Sequence, residues 1–307
     1  MLDTYLFGTV HRMSPEAPVP VVNIEKKESR PGGAANVAMN IKSLGGKVTL
    51  CTTIGDDAAG KNLAALLKQN KLLSDSVIRS NKRITTEKTR IFSRNRQMLR
   101  YDLETETALN KEEEEKLLNK IQNAVNSGKF NVVVFQDYNK GVLTKKIIRE
   151  TIALCRRKKI PTAVDPKKLN FFEYRDVTLF KPNLRETADA LETEINKSEP
   201  GSLKAAAGRL SEKLNHSITL ITLSESGAFV TNHRDAELIP ASVLHVADVS
   251  GAGDTVLSVA ALCLACGIDF KTRGRLANIA GGIVCGEVGV AQIHAQKFFE
   301  EAKEASS

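Results

Sequence analysis

The sequence contains no tryptophan and only 4 tyrosines in 307 residues, which leaves little with which to stack unpaired bases. Nucleic-acid binding is therefore a poor match, although Lys and Arg outnumber Asp and Glu by 44 to 36 and give a formal net charge of +8. The basic residues are spread along the chain and broken by acidic ones, as at Glu112 to Glu115, rather than gathered into a stripe or tail. That distribution suits a solvated surface or an anionic small substrate. Cysteine is sparse too. Cys51, Cys155, Cys263, Cys266 and Cys285 are odd in number and scattered, with no secretory leader before them. A reduced cytoplasmic setting is expected, and a disulfide framework is not. Cys263 and Cys266 form a C-x-x-C, but within the apolar run Val256 to Cys266 and without a second pair or neighbouring histidines, which favours core packing over metal binding. Long apolar runs are also missing: Gly or charge interrupts each one, so no membrane span is expected.

What is present is the material of an ordinary globular core, with 42% hydrophobic and 26% charged residues. Short β-rich runs (Val132 to Phe135, Thr162 to Val164, Ile218 to Leu223) alternate with helical patterns (Lys145 to Arg156, Ser202 to Leu214). That alternation predicts an α/β fold of one domain over 1–307, with a mostly parallel central sheet between helical layers. Pro18 to Glu25 and the pair Lys88 to Arg94 with Gln97 to Asp102, joined by a polar turn around Asn95, break the rhythm. Their alternation predicts a small antiparallel β lid, from segments near 5–30 and 83–104. Glu112 to Glu115 reads as the solvated first turn of a helix. Met1-Leu2-Asp3 reads as the end of a strand whose beginning would lie upstream.

Two small-residue segments carry the chemistry. Asp248-Val249-Ser250-Gly251-Ala252-Gly253-Asp254-Thr255 leads straight into the apolar run from Val256. The backbone can approach a ligand closely there, and a helix start aims unpaired N–H groups at an anion. Asp254 at that start can accept a proton from a hydroxyl. An ordinary turn with a capping aspartate fits the same spacing equally well. Arg30-Pro31-Gly32-Gly33-Ala34-Ala35-Asn36-Val37-Ala38 likewise enters a helix, and Asn36 offers a donor and an acceptor to sugar hydroxyls. Taken alone, a plain loop explains it.

Together, a G-G-x-x-N near the start and a G-A-G-D near the end resemble the ribokinase (PfkB-type) carbohydrate kinases. Asn183-Leu184-Arg185-Glu186 is similar to the N-x-x-E element of that family, and Thr222-Leu223-Ser224-Glu225-Ser226-Gly227 to its nucleotide-binding strand end. The resemblance spans nearly the whole chain and implies a ribokinase-like three-layer sandwich. It also implies ATP as phosphoryl donor with Mg²⁺ as cofactor, a catalytic base at Asp254, and an anion hole from the amides of Gly251, Ala252 and Gly253. Asp3, Gly32, Gly33 and Asn36 would hold the sugar. Asn183 and Glu186 would act on magnesium, Glu186 through water, and Thr222, Ser224, Gly227 and Asn278 would line the ATP site. Asp248 and Ser250 match the positions of a monovalent cation such as K⁺, with Ser in place of the usual Thr. Dimerisation through the lid is frequent in the family and is expected here.

Within the family, several strings are similar to those of kinases acting on D-glycero-D-manno-heptose 7-phosphate, whose product leads to a lipopolysaccharide precursor. They are Ser14 to Pro20, Arg30 to Asn40, Ser93-Arg94-Asn95, Asp137-Tyr138-Asn139-Lys140-Gly141 and Asp165-Pro166-Lys167. A phosphorylated sugar needs cationic partners. Lys88, Arg90, Arg94, Arg96, Arg100, Lys140 and Lys167 supply candidates, of which Arg94, Lys140 and Lys167 are the best placed by motif. No H-x-G-H nucleotide-transfer signature occurs, so the kinase step alone is expected. A kinase for another sugar and a non-catalytic sugar or nucleotide sensor are the competing readings.

Overall fold

The computed structural model describes residues 1–72, 75–94, 96–241, 247–287 and 289–305. In chain order the strands are β1 (Leu2–Met13), β2 (Pro20–Pro31), β3 (Thr52–Gly55), β4 (Val77–Ser80), β5 (Glu87–Ser93), β6 (Arg96–Leu103), β7 (Val133–Gln136), β8 (Thr162–Asp165), β9 (Leu179–Phe180), β10 (Ile218–Thr222), β11 (Ala228–Thr231) and β12 (Ala236–Ile239). The helices are α1 (Ala34–Ser43), α2 (Ala58–Gln69), α3 (Lys111–Asn126), α4 (Lys145–Arg157), α5 (Leu184–Leu191), α6 (Pro200–Leu214), α7 (Ala252–Ala265), α8 (Phe270–Cys285) and α9 (Ala295–Glu304).

Six strands in the order β12-β11-β10-β9-β8-β7 make the main sheet; β7 to β10 run parallel, and β11 and β12 turn back antiparallel. A parallel strand covered on both faces must be apolar along its whole length, and β8 shows it. Ala163 packs with α1, α7 and α8, while its neighbour Val164 packs on the opposite face with α4 and α6. Helix ends are fixed locally: Asn110 caps α3 by accepting from the Glu113 N–H, and Thr144 caps α4 by accepting from Ile147. Glu112, Glu113 and Glu114 then occupy the first turn of α3, where the helix dipole favours negative charge.

β3 and β4 form a separate parallel pair. Between β3 and β7 lies a cavity of about 580 Å³, lined by Val37, Ile41, Leu50, Ile54, Val134 and Leu262 among others. The strand order leaves β3 and β7 each with a neighbour on one side only. The predicted central sheet is thus built in two pieces that face each other across an apolar slot.

The lid is a four-stranded sheet in the order β2-β1-β5-β6. Two expectations about it need correction. Met1-Leu2-Asp3 is not a strand end, because β1 runs on past Asp3 to Met13, with Leu2 paired to Pro31 on one side and Glu87 on the other. Nor is the lid wholly antiparallel: β1–β2 and β5–β6 are, but β1 and β5 run parallel in register from Leu2↔Glu87 to Gly8↔Ser93. The polar turn assigned to Asn95 lies outside the described residues.

Candidate active site

The C-terminal ends of the parallel strands, the root of the lid and the start of α7 converge on one carboxylate. Asp254 occupies the third position of α7, two residues after Ala252 and three after the N-cap Gly251, and is 4% exposed. Its Oδ2 accepts from Asn36 Nδ2 at 2.9 Å; its Oδ1 accepts from Tyr138 Oη at 2.8 Å and from Gln136 Nε2 at 3.2 Å. Burial pushes the Asp254 carboxyl up to about 6. The Asn36 and Tyr138 hydrogen bonds work against that rise, the Asp165 charge adds to it, and Lys181 opposes it. A carboxylate so placed is ionised at neutral pH yet basic enough to take a proton.

Asn36 reaches Asp254 because α1 and α7 pack side by side. Asn40 Nδ2 donates to Thr255 Oγ1 at 3.1 Å, and Ser258 Oγ donates to the Val37 carbonyl at 3.2 Å. Gly33 is the N-cap of α1. Gly32 is required by close approach: a Cβ there would lie 1.8 Å from Asp3 Oδ2. Asp3 itself is 2% exposed and is held by Arg90 Nη1 at 2.7 Å. Asp3, Gly32, Gly33, Asn36, Gly251 and Asp254 therefore stand together, brought from the two ends of the chain. Of the anion-hole amides, the Ala252 N–H already donates to the Val249 carbonyl at 3.3 Å, so a ligand would compete for it. Gly253 lies beside Asp165 Oδ2 and Lys181 Nζ.

Lys181, 2% exposed, pairs with Asp165 Oδ2 at 3.1 Å and supplies positive charge next to that helix start. The sequence pointed to neither Lys181 nor Gln136, and it placed Tyr138 in a family-like string without a role. Their signal was positional, since ligands in parallel α/β sheets gather at the carboxyl ends of strands, and Gln136 and Asp165 end β7 and β8.

Asn183 and Glu186 form a capping box at the start of α5. Asn183 Oδ1 accepts from the Glu186 N–H at 2.7 Å, and Glu186 Oε2 accepts from the Asn183 N–H at 2.9 Å. Glu186 Oε1 is paired with Lys167, which also lies 3.5 Å from Asp165 Oδ1. Burial acts to lower the Lys167 ammonium, but Asp165 and Glu186 outweigh it and the net direction is upward. The donor set fits magnesium only through water: one carboxylate with a free lone pair suits an ion that keeps most of its hydration and leans on phosphates. Among the described residues no three His, Cys, Asp or Glu side chains group closely enough to hold a metal directly. Thr222 bridges to Asn183 at the end of β10, Ser224 and Gly227 form the turn that follows, and Asn278 Nδ2 donates to the Pro240 carbonyl at 2.9 Å, so these four line one edge of the sheet.

Asp248 acts as a clip: Oδ1 accepts from the Ser250 N–H and Oδ2 from the Gly289 N–H, both at 2.9 Å. Each oxygen keeps a lone pair that a monovalent cation could use.

The candidate phosphate-binding cations Lys88, Lys140 and Arg100 are largely neutralised by acids in and just after β6. Lys88 pairs with Asp102 at 2.7 Å and Glu104 at 2.9 Å; Lys140 pairs with Glu104 at 2.8 Å and Glu106 at 3.2 Å. Arg100 is bidentate on Asp102, whose carboxyl is thereby held well below its usual range. Arg94 does not join the group. It is exposed, six residues along from Lys88, the partner of Asp3, which puts it roughly 20 Å up the strand. Cys263 is buried, and burial pushes its thiol up to about 11, far from the thiolate that a metal needs.

Comparison with known proteins identifies the family. The model for "pfkB family carbohydrate kinase" matches residues 4–296. The bifunctional protein HldE of Geotalea uraniireducens (strain Rf4) is 40% identical over 95% of this chain and 59% of its own length. That of Caulobacter sp. (strain K31) is 41% identical over 97% of this chain and 60% of its own. The chain therefore spans about three fifths of these relatives. Phosphofructokinase-2 from Escherichia coli in complex with potassium superposes with a TM-score of 0.82 at 19% identity, covering 100% of this chain and 96% of that one. The same enzyme in complex with fructose-6-phosphate gives 0.79 at 18% identity, again over 100% and 96%. The fold is ribokinase-like, the activity is that of a sugar kinase, and the chain belongs to the pfkB family of carbohydrate kinases.

Proposed function

We propose that this kinase transfers the γ-phosphoryl group of ATP to the anomeric hydroxyl of D-glycero-D-manno-heptose 7-phosphate, giving the 1,7-bisphosphate. The observation that carries the mechanism is the buried Asp254 at a helix start, fixed by Asn36 from the G-G-x-x-N segment. The substrate specificity rests on the relatives of about 40% identity over nearly all of this chain and on the strings around Tyr138 and Lys167. The sugar sits under the lid against Asp3, Gly32, Gly33 and Asn36, and ATP lies along Thr222, Ser224, Gly227 and Asn278. Asp254 removes the proton as the hydroxyl oxygen bonds to the γ-phosphorus; the bond to the β-bridging oxygen breaks, ADP leaves, and Asp254 later gives the proton to solvent. The amides at the start of α7 and the Lys181 ammonium offset the charge on the transferring group. Magnesium, when bound with ATP, shields phosphate charge, and Glu186 and Asn183 are the residues that would orient its water shell. Lys140 and Lys167 bind the 7-phosphate only by exchanging their carboxylate partners for it. Arg94 can contribute only if the lid folds over the substrate.

Use of ATP by a chain with five free thiols suits the cytoplasm, and no helix among the described residues is long and apolar enough to cross a membrane. The exposed strand β6, with Met98, Leu99, Tyr101 and Leu103 all more than 40% exposed, is the proposed contact of a homodimer. The test of the mechanism is Asp254→Asn. Turnover should fall by about 10²–10⁴ with nucleotide affinity nearly unchanged; undiminished turnover removes Asp254 from the base role.

A further inference from the structure

The carboxylate of Asp254 has two oxygens and about four lone-pair directions. Three are filled in the structure, and unevenly. Oδ1 receives two donors, Tyr138 Oη at 2.8 Å and Gln136 Nε2 at 3.2 Å, whereas Oδ2 receives only Asn36 Nδ2 at 2.9 Å. We propose that Tyr138 is a positioning residue: with Gln136 it saturates Oδ1 of Asp254 and thereby makes the open side of Oδ2 the atom that takes the substrate proton. The inference rests on the base role of Asp254 argued above.

The placement of Tyr138 supports it. The residue follows β7 and the buried Asp137, which accepts from Tyr174 Oη at 2.6 Å, Asn170 Nδ2 at 3.2 Å and the Asn139 N–H at 2.8 Å. That network anchors the backbone on both sides of the phenol. The Tyr138 ring also covers the glycine turn, with Cε2 3.2 Å from where a Gly33 Cβ would stand. One side chain therefore touches both the sugar loop and the base. Burial first, then the charges of Asp254 and Asp165, push the phenol well above its ordinary range, so it stays protonated and donates. A donor to the ionised form makes a carboxylate less basic, so Tyr138 tunes Asp254 as well as turning it. The other charged groups around Asp254 and Tyr138 are Asp165 at the end of β8, Lys181 after β9 and Asp3 in β1.

The experiment is the pH profile of kcat and of kcat/KM for the intact chain, Tyr138→Phe, Gln136→Met and Asp254→Asn, each first checked for a cooperative thermal melt. Phenylalanine keeps the ring and removes one hydrogen bond. The acid limb should move up by about one pH unit in Tyr138→Phe. That is roughly a twofold loss at pH 7 growing to about tenfold at pH 5, with sugar KM little changed. Gln136→Met should move the limb in the same direction by less, and it carries the test alone if Tyr138→Phe does not fold. A uniform drop at every pH, a change confined to KM, or an unmoved limb overturns the inference while leaving Asp254 as base. An acid limb that survives in Asp254→Asn instead overturns the base role itself.

Discussion

At the residue scale, the site stores an electrostatic cost. An Asp raised from its ordinary 3.8 to about 6 in the folded state binds protons more tightly there than when unfolded. Its burial therefore costs nothing below pH 4, costs progressively more as the pH rises from 4 to 6, and stays constant above 6. The full cost is on the order of 2–3 kcal/mol. Asp254→Asn should accordingly melt higher than the parent at pH 8, by an amount that shrinks and disappears as pH falls toward 4. Equal melting temperatures at pH 8 would show that the carboxylate is not held at a cost. The second residue-scale prediction concerns Gly32. Alanine there would displace Asp3, whose oxygen lies 1.8 Å from the new Cβ and which Arg90 holds in place. Sugar KM should rise about tenfold to a hundredfold with ATP KM unchanged, measured by varying each substrate in turn.

Asp254 was nominated by a G-A-G-D string at the head of an apolar run, but its role as a base came from the family resemblance, because a turn with a capping aspartate has the same spacing. Tyr138 stood within a family-like string, but its role was not legible: its partner is 116 positions away, and only packing of α7 against the ends of β7 and β8 brings them together. The cations around the lid illustrate the same limit. Charge nominated Lys88, and charge with motif nominated Lys140 and Arg94, but pairing decides which are available, and Asp102, Glu104 and Glu106 already hold the first two.

At the element scale, helices read more reliably than strand pairings. Lys145 to Arg156 and Ser202 to Leu214 correspond to α4 and α6 within two residues, because a 3.6-residue period is a property of the segment itself. The parallel pairing of β1 with β5 belongs to two segments more than eighty positions apart and leaves no local mark. Leu2 was misread for this reason, since it packs with Ala35, Leu63 and Leu67 rather than with its sequence neighbours. The turn from β10 to β11 gives a test at this scale. Gly227 has φ of 92°, and a Cβ there would lie 2.0 Å from the Ile239 carbonyl oxygen. Gly227→Ala should lower stability by about 1–3 kcal/mol and raise the KM for ATP, read by denaturant unfolding and by kinetics.

At the scale of the whole molecule, the alternation of strand and helix foretold a layered α/β structure. It did not foretell that the sheet would come in two parts with an apolar cavity of about 580 Å³ between β3 and β7. Two facing strand edges with open backbone positions are an association hazard. The chain should bind an apolar fluorescent dye while keeping native circular dichroism, and the signal should grow with no change in far-UV ellipticity. No dye binding would mean that the slot closes in solution.

The central claim joins a reaction to a residue, and one measurement addresses both. Purified chain and Asp254→Asn are incubated with ATP, Mg²⁺ and K⁺ and, separately, heptose 7-phosphate, ribose, fructose and fructose phosphates, with products identified by mass. The account predicts a heptose bisphosphate from the parent chain, one ADP per product, and almost none from the variant. Phosphorylation of a different sugar in preference, or equal product from Asp254→Asn, would contradict it.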